Sequence, residues 1–179
     1  MNTTLSEPDV GITLDNNGVC SEKGGTMLLI MLLLAIHLLA AVFWIGGMAF
    51  AYTVLRPAAG PLDPALRLPL WRRVFARFLP WVGVSIVALL VSGFAMLFLM
   101  FGSDANAPPY VHIMAATGVI MTLLYGHLFF APRRRFRAAV DRGTLPEAAK
   151  SLNQIRIIVG INLLLGVLTL VIGGTGRYW

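Results

Sequence analysis

Three histidines carry most of the chemistry that this sequence could perform: His37, His112 and His127. All three fall in long apolar stretches, where an ionisable side chain is costly and usually functional. His37 precedes Arg56 by 19 residues, about 28 Å at the helical rise per residue. His112 precedes Arg133 by 21 residues, about 31 Å. If the arginines mark one face of a membrane, these two imidazoles are predicted to lie at matching depth near the other face.

Two imidazoles at one level on two helices are suited to holding a haem iron from both sides, or to contributing to a copper site. The favoured hypothesis is one b-type haem bound by His37 and His112 for membrane electron transfer. Arg177 would emerge at the same level and could face the haem propionates. A membrane redox protein is the enzyme class that this hypothesis leaves open.

His127 is predicted to lie outside this site, because only six residues, about 9 Å, separate it from Arg133. Asn162 follows Arg156 by six residues, so a hydrogen bond between His127 and Asn162 is expected. A hydrolase is not expected: no Asp or Glu lies in the apolar stretches, and neither Ser85 nor Ser92 is expected to have a histidine at matching depth.

Sulfur ligands favour an alternative role for the same histidines. Thioethers suit Cu(I), although methionine is also an ordinary packing residue. Copper binding or transport through His37, His112 and these methionines is the second hypothesis, and a metal-free accessory subunit is the third. Five methionines map to the same end of the apolar stretches as the two histidines: Met27, Met31, Met96, Met100 and Met114.

The elements that position these residues are predicted to be transmembrane helices. Of the 179 residues, 58% are apolar and 12% are charged, against about 25% charged in soluble domains. The predicted fold is an all-α, polytopic bundle of four transmembrane helices in a lipid bilayer, and nucleic-acid binding is not expected. Four stretches are long enough to cross the hydrocarbon: 27–55, 78–101, 109–131 and 155–175.

Basic residues give the expected orientation. Five lie between the first and second stretches, six lie between the third and fourth, and a seventh, Arg156, is the second residue of the fourth. One lies before the first stretch, none between the second and third, and one after the fourth. Both basic connections are therefore predicted to be cytoplasmic and both termini outside. Residues 1–26 read as a mobile polar tail, and residues 27–179 as the membrane domain.

The basic connections carry helix-start signals of their own. Asp63 followed by Pro64 predicts a short interfacial helix that leads into the second span. Thr144 and Glu147 have the spacing of a capping box, which predicts that the last helix begins near Leu145.

Three segments together resemble the copper resistance D (CopD-like) group of bacterial inner-membrane proteins: HLLAAVFWIGGMAFAYTVLRP from His37, YVHIMAATGVIMTLLYGHLFFAPRRRF from Tyr110, and IRIIVGINLLLGVLTLVIGGTGR from Ile155. The resemblance implies a multi-pass inner-membrane protein connected with copper uptake, and a distant similarity to four-helix b-type cytochromes. It also implies a quinone or redox-protein partner if haem is bound, and a homo-oligomer if copper is transported.

A second resemblance begins in the first span. The spacing of His37, Trp44 and Gly47 is similar to that in small membrane protoporphyrinogen oxidases, which are thought to bind haem. Those enzymes carry a lysine where this chain has Met114.

Overall fold

Helices account for almost all of the structure. The computed structural model describes residues 21–102 and 106–178, without the side chains of residues 21–23 and 177. Of the predicted tail, residues 1–20 lie outside the described residues and residues 21–26 belong to the first helix. The α-helices are α1 (Ser21–Phe50), α2 (Arg56–Ala58), α3 (Pro64–Phe101), α4 (Pro109–Phe130), α5 (Pro132–Asp141) and α6 (Leu145–Thr175).

Four of the helical segments are long and apolar enough to cross a membrane, which confirms the predicted all-α bundle with four transmembrane helices: Gly24–Ala58, Pro64–Phe101, Pro109–Asp141 and Leu145–Thr175. Their outward faces expose large apolar side chains such as Leu39, 70% exposed, and Leu123, 68% exposed. Such a surface is stable against lipid tails, because water would penalise the exposed apolar area.

The bundle is built from two tightly packed helix pairs, α1 with α3 and α4 with α6. Trp44, Met48, Val82, Ile86 and Met121 form the core where the two pairs meet. A second core lies at the end that carries the arginine-rich connections, and we call this the basic end; the opposite end is the far end. Leu68, Trp71, Phe75, Leu128, Phe136 and Ile155 belong to that second core.

The structure therefore places both arginine-rich connections at one end of the bundle, as the sequence predicts. Arg72 of α3 and Asp141 of α5 form an ion pair of 2.8 Å that joins them.

The interfacial helix and the second span form one continuous helix. The Asp63 carboxylate accepts a hydrogen bond of 2.9 Å from the Ala65 amide, which caps the start of α3. Pro69 and Pro80 lie inside α3 and each removes one backbone donor, but neither ends the helix.

The connection between the third and fourth spans contains a helix that was not predicted. In α5, Phe136 and Ala139 are three residues apart, are each 1% exposed, and pack in the core of the basic end. Arginines fill its outer face, so the helix is amphipathic and lies across the ends of α3 and α6.

The last helix begins at Leu145, as predicted, but the expected capping box is wrong. The Thr144 hydroxyl lies 3.1 Å from the Ala139 carbonyl and 3.2 Å from the Glu147 carboxylate, and it caps no backbone amide of α6. Glu147 pairs instead with Arg142 at 3.1 Å.

The end of the first span departs from regular α-helix. Residues Ala51–Leu55 form a π-helical turn between α1 and α2. Turns of this kind are rare and often lie at functional sites.

Candidate functional site

His37 is the best positioned of the predicted ligands. It is half-buried on the face of α1 that packs against α3, where its Nδ1 atom lies 2.9 Å from the Ser92 hydroxyl. The neighbouring residue on α3 is Gly93, and a Cβ atom there would lie 3.1 Å from His37 Cε1. The glycine therefore makes room for the imidazole, and the serine fixes its orientation.

The contacts of Ser92 favour one tautomer of His37. The Ser92 hydroxyl donates its one proton to the Ala88 carbonyl at 2.6 Å. Its oxygen is then an acceptor, so His37 Nδ1–H is the donor. The lone pair of the neutral ring therefore resides on Nε2, which is the form that binds a metal ion.

The partnership with Ser92 corrects the expectation that this serine has no histidine beside it. It is not a nucleophile arrangement, because the serine proton is directed to a carbonyl and the imidazole donates rather than accepts. Ser85, another buried serine, donates to the Trp81 carbonyl at 3.0 Å.

His112 has a different environment. Its side chain is exposed, and its Nδ1 atom lies 3.3 Å from the carbonyl of Pro108 on its own helix. The two histidines also stand on helices with different main partners, since α1 packs on α3 and α4 packs on α6. A single atom bound by His37 and His112 together stays a prediction that rests on their matching depth.

The five methionines fall into two groups. Met96 and Met114 are half-buried, and Met114 packs on α6, where a Cβ at Gly173 would lie 2.9 Å from its sulfur. The others point outward: Met27 and Met31 are each 63% exposed, and Met100 is 57% exposed. Met114 therefore has its sulfur against a neighbouring helix, and Met96 is the other of the five that is partly shielded.

The predicted hydrogen bond between His127 and Asn162 is wrong. His127 is exposed, while Asn162 is buried and its side-chain amide donates to the Met121 carbonyl at 3.4 Å. Met121 and His127 are six residues apart on α4, which puts them on different faces of that helix. Matching depth in the membrane was therefore not enough to identify the hydrogen-bond partner of Asn162.

The arrangement gives the haem hypothesis no support. Of the glycines that could have left space for a flat macrocycle, a Cβ at Gly46 or Gly118 would meet nothing within 4 Å, but two are covered by side chains of neighbouring helices: Phe78 lies over Gly47, and Ile45 and Met121 lie over Gly166. The two covered glycines serve close helix packing. Among the described residues there is also no group of three or more His, Cys, Asp or Glu side chains that could hold a metal ion. The side chain of Arg177 lies outside the described residues.

A polar contact between α4 and α6, in the same half of the bundle as His37 and Ser92, was not predicted. The hydroxyls of Thr117 on α4 and Thr169 on α6 lie 2.9 Å apart, and each also bonds a carbonyl of its own helix. Both threonines lie in the half of the bundle toward the far end. Their similar depth on α4 and α6 is the sequence feature from which this contact could have been predicted.

Comparison with known protein families finds a match to the sequence. The sequence model described as copper resistance protein D matches residues 72–175, which run from the start of the second span through the fourth. No curated protein and no solved structure matches the chain. His112 and three of the five methionines lie inside the matched region, whereas His37 precedes it. Because the match covers more than half of the sequence, this membrane protein belongs to the copper resistance protein D family.

Proposed function

We propose that the chain binds copper(I) within the membrane as a step in copper handling, with His37 as the central ligand. The observation that carries this proposal is the hydrogen bond of 2.9 Å between His37 and Ser92. Metal-binding histidines commonly donate their second ring N–H to a fixed acceptor, which orients the ring and keeps the ligating nitrogen unprotonated. The family's description supports copper as the cargo.

Met96 is the sulfur ligand best placed to act with His37. It follows Ser92 by four residues on α3, so it lies one turn farther toward the far end on the face that holds His37. A thioether and an imidazole form a soft donor set that suits Cu(I). Met31 and Met100 are exposed, so they contribute less to a fixed site.

The proposal also assigns a place in the cell. With eleven basic residues in the two basic connections, the basic end faces the cytoplasm of a bacterial inner membrane and both termini lie outside. The copper site then lies in the outer half of the membrane, within reach of ions arriving from that side.

Competition for Cu(I) tests the central ligand. The full chain, purified in detergent, is titrated against a chromophoric Cu(I) chelator, and His37→Leu is compared with His127→Leu. Losing a ligand from a two- or three-donor site weakens binding by about 100-fold or more, equivalent to about 2.7 kcal/mol. His127 is exposed at the basic end and provides the matched control. Equal binding by both variants would overturn the proposal.

The same preparation separates copper from haem. A b-type band in the reduced-minus-oxidised spectrum that disappears in His37→Leu would replace copper with haem as the ligand. Met96→Leu is expected to weaken Cu(I) binding and Met100→Leu to leave it unchanged, because Met96 is half-buried one helical turn from Ser92 whereas Met100 is 57% exposed. His112→Leu decides whether the second imidazole shares the ion.

A further inference from the structure

The basic end contains a cavity that the copper proposal does not use. It has a volume of about 50 Å³ and lies where the end of α1 meets α3, α4 and α6. Its walls are almost entirely apolar and include Trp44, Phe75, Val82, Leu128 and Val159. We call it the basic-end cavity.

Three buried polar atoms on residues lining this cavity have no hydrogen-bond partner among the described residues: Trp71 Nε1, Arg156 Nε and Asn162 Oδ1. Trp71 and Asn162 are each only 4% exposed. A buried donor or acceptor without a partner is unfavourable, so native proteins nearly always satisfy such groups. Two of these three atoms are donors, which indicates that the missing partner is an acceptor.

The charge around the cavity is also unbalanced. Arg56 and Arg156 both line it, no acidic residue does, and the positive charges of Arg56 and Arg67 repel Arg156. The carboxylates nearby are already engaged: Asp141 pairs with Arg72, and Glu147 pairs with Arg142. An anion would relieve this repulsion, because guanidinium groups bind oxyanions through paired N–H donors.

The backbone is irregular at the same place. Ala51 and Tyr52, the first two residues of the π-helical turn, line the cavity. The Tyr52 ring lies under the Arg56 guanidinium, 5.0 Å from its centroid, and packs against Gly160 of α6. The turn thus directly precedes Arg56, one of the two arginines that line the cavity.

We propose that the basic-end cavity binds an anionic amphiphile from the membrane. Its head-group oxygens accept hydrogen bonds from Arg56, Arg156 and the Trp71 indole N–H, and the first methylene groups of its hydrocarbon chain contact the apolar walls. The volume of about 50 Å³ is about a third of the ~150 Å³ cavity that holds benzene, so only the few methylene groups nearest the head group fit inside, and the rest of the chain lies against the outer face of the bundle. Asn162 lies six residues beyond Arg156, about 9 Å deeper, so the head group does not reach its free oxygen.

Lipid-dependent thermal stability tests the recognition. The full chain in a neutral detergent is melted with added phosphatidylglycerol, phosphatidylcholine or inorganic phosphate. Only phosphatidylglycerol is expected to raise the melting temperature, because it alone combines a net negative head group with a chain. Arg156→Gln is expected to weaken this binding about tenfold, whereas Arg77→Gln, an exposed arginine of α3 outside the cavity, is expected to keep it.

Each other result overturns the proposal. An equal effect of phosphate alone would identify a simple anion site, and an equal effect of phosphatidylcholine would exclude recognition of charge. An equal loss of phosphatidylglycerol binding in Arg156→Gln and Arg77→Gln would mean that the lipid is attracted only by the total positive charge of the basic end.

Brominated lipids test whether the chain enters the cavity. The chain has four tryptophans, and replacing Trp81 and Trp179 by phenylalanine leaves two that both line the cavity. Phosphatidylglycerol with brominated chains is expected to quench their fluorescence at least twofold more than brominated phosphatidylcholine, because bromine quenches only at close range. Val159→Phe, which fills the cavity, is expected to remove that difference. Persistence of the difference in this variant would place the chain elsewhere.

Discussion

The two halves of the bundle satisfy their polar groups in opposite ways. In the far half, His37 is hydrogen-bonded to Ser92 and Thr117 to Thr169, so buried polar atoms find partners within the protein. At the basic end, Trp71, Arg156 and Asn162 each keep an atom without a partner. A fully satisfied network is rigid and presents one defined lone pair, which suits an ion. Unpaired donors around an apolar cavity suit a larger ligand that brings its own acceptors.

The largest effect is expected from the packing that closes the basic end. Phe136 is 1% exposed and meets Phe75 edge-on, with ring centroids 5.8 Å apart. Phe136→Ala is expected to lower the free energy of unfolding by about 3–5 kcal/mol, because a fully buried ring leaves a void. Phe94→Ala removes a ring that is 46% exposed in the far half, so a change of about 0.5 kcal/mol or less is expected. Reversible unfolding in mixed micelles measures both, and similar losses would contradict the difference in packing.

Positioning of His37 ranks second. Ser92→Ala removes the acceptor that orients the ring and is expected to weaken Cu(I) binding about 10- to 100-fold without removing a ligand. Ser85→Ala is the matched control, since its hydroxyl bonds only the Trp81 carbonyl among the partners that the structure describes. Chelator competition measures both affinities. If Ser85→Ala weakens binding as much as Ser92→Ala, the serine acts through general packing.

The sequence predicts the four spans well, because each is a long apolar run bounded by arginines, glycines or prolines. It also predicts the start of α6 at Leu145. It does not predict α5, since only Phe136, Ala139 and Val140 interrupt a run of charged and small residues, too few for a clear period. A transmembrane helix can therefore be predicted from the length of its apolar run. A short amphipathic helix such as α5 can be predicted only when the surface against which it packs is known.

The candidate site is harder to predict because depth counting fixes neither helix rotation nor a common reference plane. Ser92 follows Arg77 by 15 residues, about 22 Å, whereas the count for His37 is about 28 Å, although the two side chains are in contact. The anchoring arginines lie at different levels, since Arg56 follows a π-helical turn and α3 extends far beyond the apolar run. The rotation of each helix about its axis explains why the predicted bond between Asn162 and His127 is wrong. The two residues have matching depth, but the Asn162 amide faces Met121.

The same chemical change is expected to have opposite signs in the two halves. Asn162→Leu removes an unpaired buried oxygen and a long hydrogen bond of 3.4 Å. It is expected to raise the free energy of unfolding by about 1 kcal/mol. Thr169→Val removes a hydroxyl bonded at 2.9 Å to Thr117, and a loss of about 0.6 kcal/mol is expected. Unfolding in mixed micelles without added lipid gives both values. Two losses of equal size would mean that Asn162 is as well satisfied as the threonine pair.

The smallest effect is expected where the basic end meets water. Arg72 and Asp141 join α3 to α5 at 2.8 Å, and their side chains are 38% and 47% exposed. A double-mutant cycle with Arg72→Gln and Asp141→Asn is expected to give a coupling of about 0.2–1 kcal/mol. The coupling should fall as salt is raised from 0.05 to about 0.5 M, because solvent screens exposed charges. A coupling above about 2 kcal/mol that is insensitive to salt would mean that water is excluded from this pair. The arginines around the basic-end cavity would then be less hydrated than their exposure indicates. An anionic head group would bind them with a free energy larger than the about 0.2–1 kcal/mol of an exposed ion pair.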